Sequence, residues 1–136
     1  MVNQQFTFAV HIMTALAFAE ARMDSQRLAA SINTNPVVVR RLLLALRQAG
    51  LIETLAGKNG GAALRKSPRR ISLLDIYRAV EARPVIAVSQ RKAARHCPVS
   101  CQMKSIMTSV AEGAEEAVRR HLRGITLQQL LRKVSC

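Results

Sequence analysis

The stretch from Asn33 to Pro36 constrains the fold more than any other part of the chain. Asn35 is a favourable helix N-cap, because its side chain can accept a hydrogen bond from a free backbone N–H of the first turn. Pro36 is a favourable first helical residue, because its missing N–H needs no partner there. A helix is therefore predicted from Pro36 to about Ala49, with Gly50 as its C-terminal stop.

The segments on either side of this helix complete a recognisable order of elements. Phe6–Phe18 is apolar almost all round a helix, so it is expected to be central in the core. A short helix follows from about Ser25, with Asp24 or Ser25 as its N-cap. After the capped helix come a strand at 51–55, a glycine-rich turn at 57–61 and a returning strand at 62–64. This order of elements predicts a mostly α fold of the winged helix-turn-helix type: a helix, a short helix, a turn, a capped helix and a β-hairpin.

The second half of the chain is predicted to be helical as well. Two short helices, 73–81 and 127–132, each follow a hydroxyl residue that can act as N-cap, and a long helix is expected over Pro98–Arg123. The predicted domains are a winged helix-turn-helix domain at 1–82, a linker or sensor loop at 83–97, and a long C-terminal dimerisation helix with a short last helix at 98–136.

Positive charge is concentrated in the predicted recognition region. The chain has a net charge of +13, and residues 36–70 contain eight basic side chains and one acidic one, Glu53. Such a patch attracts a polyanion by releasing its counterions. Charge alone leaves nucleic acid, an anionic membrane and the ribosome surface as alternatives. The apolar stretch 6–19 is too short to cross a bilayer, and the absence of a preceding Lys or Arg argues against a signal peptide, so it is interpreted as a buried helix and no membrane partner is expected.

The predicted recognition helix has two opposed faces. Val38, Leu42, Leu43 and Leu46 are expected to pack inward, while the other face is basic. In a helix-turn-helix the N-terminal end of this helix meets base edges, where Asn can pair with adenine, Arg with guanine, and small apolar groups with the thymine methyl. The predicted DNA contacts are Ser25, Thr34, Asn35, Pro36, Val37, Arg40, Arg41 and, in the wing, Lys58, Asn59, Gly60 and Gly61.

Parts of this pattern are compatible with functions other than DNA binding. The helix alone is also compatible with an ordinary amphipathic helix whose arginines are solvated. A phosphate-binding enzyme loop would be glycine-rich too, but the Walker spacing is absent. No metal-ligand cluster, catalytic carboxylate pair or nucleophile–base motif is visible, so an enzyme is not expected. A basic RNA- or ribosome-binding protein remains the alternative from another class.

These residues resemble the bacterial Rrf2 family of winged-helix regulators over nearly the whole chain. The similar stretches are 8–12, 28–32, 35–40, 44–51 and, most specifically, 57–64 leading into 71–81. Cys97-Pro98-Val99 and Thr126-Leu127 are most similar to the YwnA-like branch. The resemblance implies a cytoplasmic, dimeric repressor or activator that binds a palindromic operator. Arg69-Arg70 departs from the family, which often has an acidic residue there, and is interpreted as added phosphate affinity.

The long helix has an apolar stripe that predicts a partner surface. A stripe of this length in a small protein usually needs a second surface to cover it, and the resemblance implies that this helix forms a homodimer. Packing within one protomer is the alternative. The predicted interface residues are Met103, Ile106, Met107, Val110, Ala114, Ala117, Val118 and His121.

The cysteines are the predicted sensing residues. An odd number of cysteines is a poor disulfide framework and favours a reducing cytoplasm. Cys97 is the expected N-cap of the long helix, where the helix dipole together with Arg95 and His96 would favour the thiolate form. If Cys97 is oxidised to a sulfenic acid, Cys101 could react with it to form a disulfide. Inert packing thiols are the alternative, and the signal, an oxidant or a small molecule, is not specified by these residues.

A bound cofactor is not expected, although the resemblance leaves one open. Some family members hold an iron–sulfur cluster through three cysteines and a further residue. Only Cys97 and Cys101 are close in sequence, and Cys136 follows 35 residues after Cys101. By resemblance His11 could be a non-cysteine ligand, whereas a histidine on an apolar helix is more often a hydrogen-bonded core residue. An iron–sulfur or metal sensor on the same scaffold is therefore an alternative.

Overall fold

The computed structural model describes residues 4–80 and 83–134, which form two compact units. One unit combines 4–80 with 122–134, and the other comprises 83–121. In chain order the elements are α1 Gln5–Ala19, α2 Ser25–Ile32, α3 Pro36–Gln48, β1 Ile52–Leu55, β2 Gly61–Leu64, a 3₁₀ helix Pro68–Arg70, α4 Leu73–Ala79, α5 Pro98–Arg123 and α6 Leu127–Leu131. The mostly helical fold with a two-stranded hairpin confirms the predicted fold class.

Helix α1 is the centre of the first unit. It contacts α2, α3, α4, α6 and β2, and it buries Ala9, Ile12, Met13, Leu16 and Ala17. These neighbours cover only part of the helix surface. The remaining surface exposes His11 and 64% of Phe18. His11 is therefore not a core residue, although its Nε2 lies 2.9 Å from Ser31 Oγ within hydrogen-bonding distance.

The predicted caps define the ends of the helix-turn-helix. Asp24, not Ser25, is the N-cap of α2, since its Oδ1 accepts a hydrogen bond of 2.8 Å from the N–H of Arg27. Asn35 Oδ1 accepts from the N–H of Val37 at 2.8 Å, and Pro36 is the first helical residue, as predicted. Between the two helices, Asn33 adopts a left-handed conformation with φ of 64°. A turn of three residues therefore sets the angle between α2 and α3.

Helices α4 and α6 are joined at their N-terminal ends. The N–H of Leu73 donates to the Ile125 carbonyl at 2.9 Å, and the N–H of Leu127 donates to the Ile71 carbonyl at 2.8 Å. The predicted caps Ser72 and Thr126 each form a reciprocal capping box with the residue three positions later. This arrangement packs α6 against α1 and the 3₁₀ helix, which the sequence did not predict. Helix α4 ends at Ala79, earlier than the predicted Glu81, which is outside the described residues.

The second unit consists of an irregular segment and most of the long helix. Residues 83–97 form no helix or strand, and α5 begins at Pro98 as predicted. Its Cys101 N–H donates to the Cys97 carbonyl at 2.9 Å, so helical hydrogen bonding starts from Cys97. None of the helices within 4–80 and 83–134 is long and apolar enough to cross a membrane.

Replacement of Leu127 by Ala should lower the free energy of unfolding by about 2–5 kcal/mol, because the side chain is fully buried and a cavity would remain. Leu130→Ala is the matched control, since it makes the same change in the same helix at a half-buried position. Urea unfolding followed by circular dichroism measures both. Equal losses for the two variants would contradict the described packing of α6.

Candidate nucleic-acid interface

Helix α3 separates an apolar face from a basic face. The buried face consists of Val39, Leu42, Leu43 and Leu46, and the exposed residues are Val37, Arg40, Arg41, Leu44 and Arg47. The prediction of Val38 on the inward face was wrong, because Val39 is fully buried and Val38 is only partly covered. The buried positions follow the i, i+3, i+4, i+7 spacing of one helix face. The exposed arginines are thus free of the core.

The N-terminal end of α3 has two side chains directed away from the core. Asn35 is exposed, and 49% of Val37 is exposed. Because the Asn35 side-chain oxygen caps the helix, its amide N–H₂ group is the part left to contact a ligand. Thr34 is half-buried, and its backbone N–H donates to the Ala29 carbonyl at 2.9 Å. Thr34 therefore holds the turn, while Asn35 and Val37 are accessible.

The hairpin is attached to the loop between α1 and α2 by a pair of backbone hydrogen bonds. The N–H of Met23 donates to the Ala62 carbonyl at 3.0 Å, and the N–H of Ala62 donates to the Met23 carbonyl at 2.8 Å. The adjacent Gly61 has φ of +122°, and a Cβ there would lie 2.7 Å from the carbonyl carbon and oxygen of Met23. This close approach requires glycine.

Arg22 reinforces that attachment and neutralises the acidic residue of the basic region. Its Nη1 donates to the Gly61 carbonyl at 3.3 Å, and its Nη2 pairs with Glu53 Oε1 at 2.9 Å. Both residues are partly solvent-exposed, so the ion pair itself adds little stability. Its main consequence is electrostatic, because the single carboxylate of 36–70 is paired beneath the hairpin. Arg22 was not among the predicted site residues, because no local pattern in the sequence links it to Glu53.

One cleft brings the predicted residues of α2, α3 and the hairpin together. It is lined by Ser25, Arg40, Lys58, Gly60 and Gly61 from the prediction, and by Met23, Asp24, Leu43, Thr54, Leu55, Gly57 and Ala62. Arg47 Nη1 also donates to Thr54 Oγ1 at 3.5 Å, which links α3 to β1. The cleft is not lined by Arg41, Asn59 or residues 34–37. Of these, Thr34 and Pro36 are half-buried and the others are exposed.

A helix pair whose second helix exposes arginines, flanked by a hairpin with a basic tip, defines a winged helix-turn-helix DNA-binding regulator. The model of the Rrf2 family, described as an iron-dependent transcriptional regulator, matches residues 2–133. The chain belongs to the Rrf2 family of transcriptional regulators.

Individual relatives agree with this assignment. The Bacillus subtilis protein YwnA, named as an HTH-type transcriptional regulator, is 32% identical over 131 residues, which is 96% of this chain and 97% of YwnA. A transcriptional regulator from Lactobacillus plantarum has a structure with a TM-score of 0.81 and 25% identity, covering 96% of this chain and 89% of that one. T. potens IscR gives a TM-score of 0.72 and 25% identity over 99% and 88% of the two chains. These relatives are regulators, not enzymes.

The two described cysteines are placed at the start of α5. Cys97 is half-buried, and its Sγ accepts a hydrogen bond of 3.4 Å from the N–H of Ser100, as expected of an N-cap residue. Cys101 is exposed one turn later. His96, which precedes them, has a left-handed φ of 60°.

The described residues do not supply a complete ligand set for an iron–sulfur cluster. Such a cluster requires four protein ligands. Within 4–80 and 83–134, no three His, Cys, Asp or Glu side chains are close enough together to hold a metal ion. Cys136 is outside the described residues, and the His11 ring is already within hydrogen-bonding distance of Ser31.

The apolar stripe of α5 is only partly covered within the chain. Met103, Ile106 and Val110 are 42%, 50% and 49% exposed, and Val99 is 65% exposed. Of the other predicted interface residues, Met107, Ala114 and Val118 are half-buried, and Ala117 and His121 are exposed. The second unit therefore presents an apolar helix face to its surroundings.

Gly61→Ala should destabilise the protein by about 1–3 kcal/mol more than Gly57→Ala, because only Gly61 faces the Met23 backbone. Gly57 also has positive φ, at +98°, but a Cβ there meets nothing within 4 Å, so it controls for backbone strain. Urea unfolding gives the free energies, and amide exchange at Ala62 reports the hairpin attachment. Similar losses in both variants, with unchanged exchange at Ala62, would contradict the close approach.

Proposed function

We propose that the protein is a homodimeric repressor that binds a palindromic operator through the N-terminal half of α3 and the hairpin wing. The supporting observation is that Arg40 of α3 and Lys58 of the hairpin line one cleft, next to backbone amides of a glycine-rich turn. Two cations from different elements on one surface can contact a base edge and a phosphate of the same duplex. The proposed site of action is the cytoplasm, where a bacterial operator is located.

Each group in this surface has a chemical role in the proposal. Arg40 and Arg41 donate to guanine O6 and N7 in the major groove, and Val37 contacts a thymine methyl. Lys58 and Asn59, with the amides of Gly60 and Gly61, contact phosphates or the minor groove. Ser25 at the start of α2 donates to a phosphate, as the first helix of such a pair crosses the backbone.

Dimerisation through α5 would give the operator its symmetry. An exposed row of apolar side chains on a 26-residue helix is stabilised when a second copy covers it. A twofold dimer contacts two half-sites about one helical turn apart on one side of the duplex. Two copies also double the phosphate contacts, which strengthens binding at physiological salt.

Oxidation of Cys97 is the proposed signal. The Cys97 thiolate attacks the distal oxygen of hydrogen peroxide, which forms a sulfenic acid and releases hydroxide. The Cys101 thiol then attacks the sulfenic sulfur, and a disulfide forms with loss of water. Residues four apart in a helix have Cβ atoms about 5–6 Å apart, whereas a disulfide requires about 3.5–4.5 Å. The first turn of α5 must therefore distort, which disturbs the proposed dimer helix and lowers operator affinity.

Arg40→Gln should weaken binding to the operator by about 1–3 kcal/mol and relax the base preference at one position of each half-site. Arg78→Gln is the matched control, because Arg78 is an exposed arginine of the same unit on α4. Anisotropy titrations of a duplex obtained by binding-site selection measure both. If the two variants weaken binding equally, Arg40 contributes only its positive charge, which would contradict the proposed contact with a base.

Ile106→Glu should raise the dimer dissociation constant at least about 30-fold, since a charge would be buried in the proposed interface. Ser105→Glu adds the same charge at the next position, which is outside the stripe, and should leave the dimer intact. Sedimentation equilibrium measures the association. A wild-type protein that remains monomeric at micromolar concentration would contradict the proposal.

Peroxide or hypochlorite treatment should lower operator affinity by about 5- to 150-fold, the usual range of coupling between two sites. Cys97→Ser should abolish the response, while Cys101→Ser should stop at the sulfenic acid, which is detected by its mass or by trapping. Unchanged affinity while Cys97 is shown to be oxidised would refute the switch.

A further inference from the structure

The second compact unit contains a cleft that the DNA-binding surface does not use. It lies between the irregular segment 87–93 and the first three turns of α5, and its volume is about 380 Å³. Sites for small organic molecules have volumes of roughly 300–1,000 Å³, so this cleft is large enough for a compact ligand. The whole cleft is formed by residues of one unit.

The wall of the cleft is tied to the helix by hydrogen bonds. The N–H of Ala94 donates to Ser100 Oγ at 2.7 Å, which connects the irregular segment to α5. On the segment itself, Ser89 Oγ accepts from the N–H of Arg91 at 3.3 Å. At the helix start, Ser100 N–H donates to Cys97 Sγ. The two hydroxyl groups that line the cleft, those of Ser89 and Ser100, thus each accept a backbone hydrogen bond that helps to shape it.

The chemistry of the lining is two-sided. The apolar part of the lining is formed by Val88, Val99, Met103 and Met107. Cationic side chains line both walls, and no carboxylate lines the cleft. The three cations are Arg91, Lys92 and Lys104. Among the described residues none of them is paired with a carboxylate. Methionine side chains adapt to ligands of irregular shape, so this apolar surface is suited to more than one hydrocarbon framework.

We propose that this cleft binds a small organic anion with an apolar body, its carboxylate, sulfonate or phosphate group meeting Arg91 and Lys92 and its apolar part meeting the methionines. Cys97 lines the same cleft, so a bound anion covers its thiol. Cys101 does not line it. The site is one for an effector, and its existence does not depend on whether the protein binds DNA.

The cleft opens beside the proposed dimer stripe. With 100° per residue, the cleft residues Ser100 and Lys104 are centred roughly 120° around α5 from the exposed Ile106 and Val110, whereas the cleft residue Val99 is on the same side as those two. Met103 and Met107 line the cleft and are also predicted interface residues, so the two surfaces share them. A ligand can occupy the cleft in a dimer only where the partner leaves Met103 and Met107 accessible, and the experiment includes the opposite outcome.

A matched pair of fluorescent probes tests the anion requirement on the full-length protein. Anilinonaphthalene sulfonate is an apolar anion, and N-phenylnaphthylamine is nearly the same molecule without the sulfonate. We expect the anion to bind at least about fivefold more tightly, the effect of one or two screened surface ion pairs. Equal affinities, or no binding of the anion because partner side chains fill the cleft, would overturn the proposal.

Alkylation and charge variants locate the probe. Saturating probe should slow iodoacetamide alkylation of Cys97 at least about fivefold and leave Cys101 unchanged, as read by peptide mass spectrometry. Arg91→Gln with Lys92→Gln should weaken probe binding about fivefold or more and remove this protection. Arg119→Gln with Arg120→Gln is the control, because it removes two exposed cations from the same unit outside the cleft. Equal weakening by both double variants, or protection of both cysteines, would refute the site.

Discussion

Two backbone hydrogen bonds between Met23 and Ala62 fix the relation between the hairpin and the helix pair. They join residues 39 positions apart and leave no room for a side chain at Gly61. Because Lys58 and Arg40 are on different elements, their common cleft depends on how the hairpin is attached, and Met23 and Ala62 both line that cleft. A wing that detached from the α1–α2 loop would keep its charges but lose their spacing, and groove recognition depends on spacing.

The attachment also organises the charge of the surface. Arg22 holds the Gly61 carbonyl and the Glu53 carboxylate at the same junction. The carboxylate is thereby paired, and Arg40 and Arg41 of α3 are exposed to solvent. A net charge of +13 would attract a polyanion wherever it was distributed, but directional binding requires cations on one face. One hydrogen-bonded junction therefore contributes to both the geometry and the electrostatics.

Local signals were sufficient to predict most of the fold. Asn35, Ser72 and Thr126 act through backbone groups within three residues, so their capping roles can be read from a short window. The contacts that position the wing could not be predicted, because Met23 meets Ala62 and Arg22 meets Glu53 across 39 and 31 residues. The prediction named Val38 as the inward-facing valine, whereas the structure buries Val39, and this difference has a simple cause. Three consecutive valines carry no periodicity, and the neighbouring helix decides which is covered. Likewise, apolar composition around α1 did not reveal that one side, with His11 and Phe18, remains open.

Hydroxyl-radical footprinting on a duplex recovered by binding-site selection tests the central claim most directly, that α3 and the wing read duplex DNA as a symmetric pair. The account predicts two protected regions on one side of the helix, with centres about 10–10.5 base pairs or a multiple of that apart. A competing RNA of equal length and charge should not displace the protein at equimolar concentration. A single protected region without symmetry, or equal competition by RNA, would contradict the account.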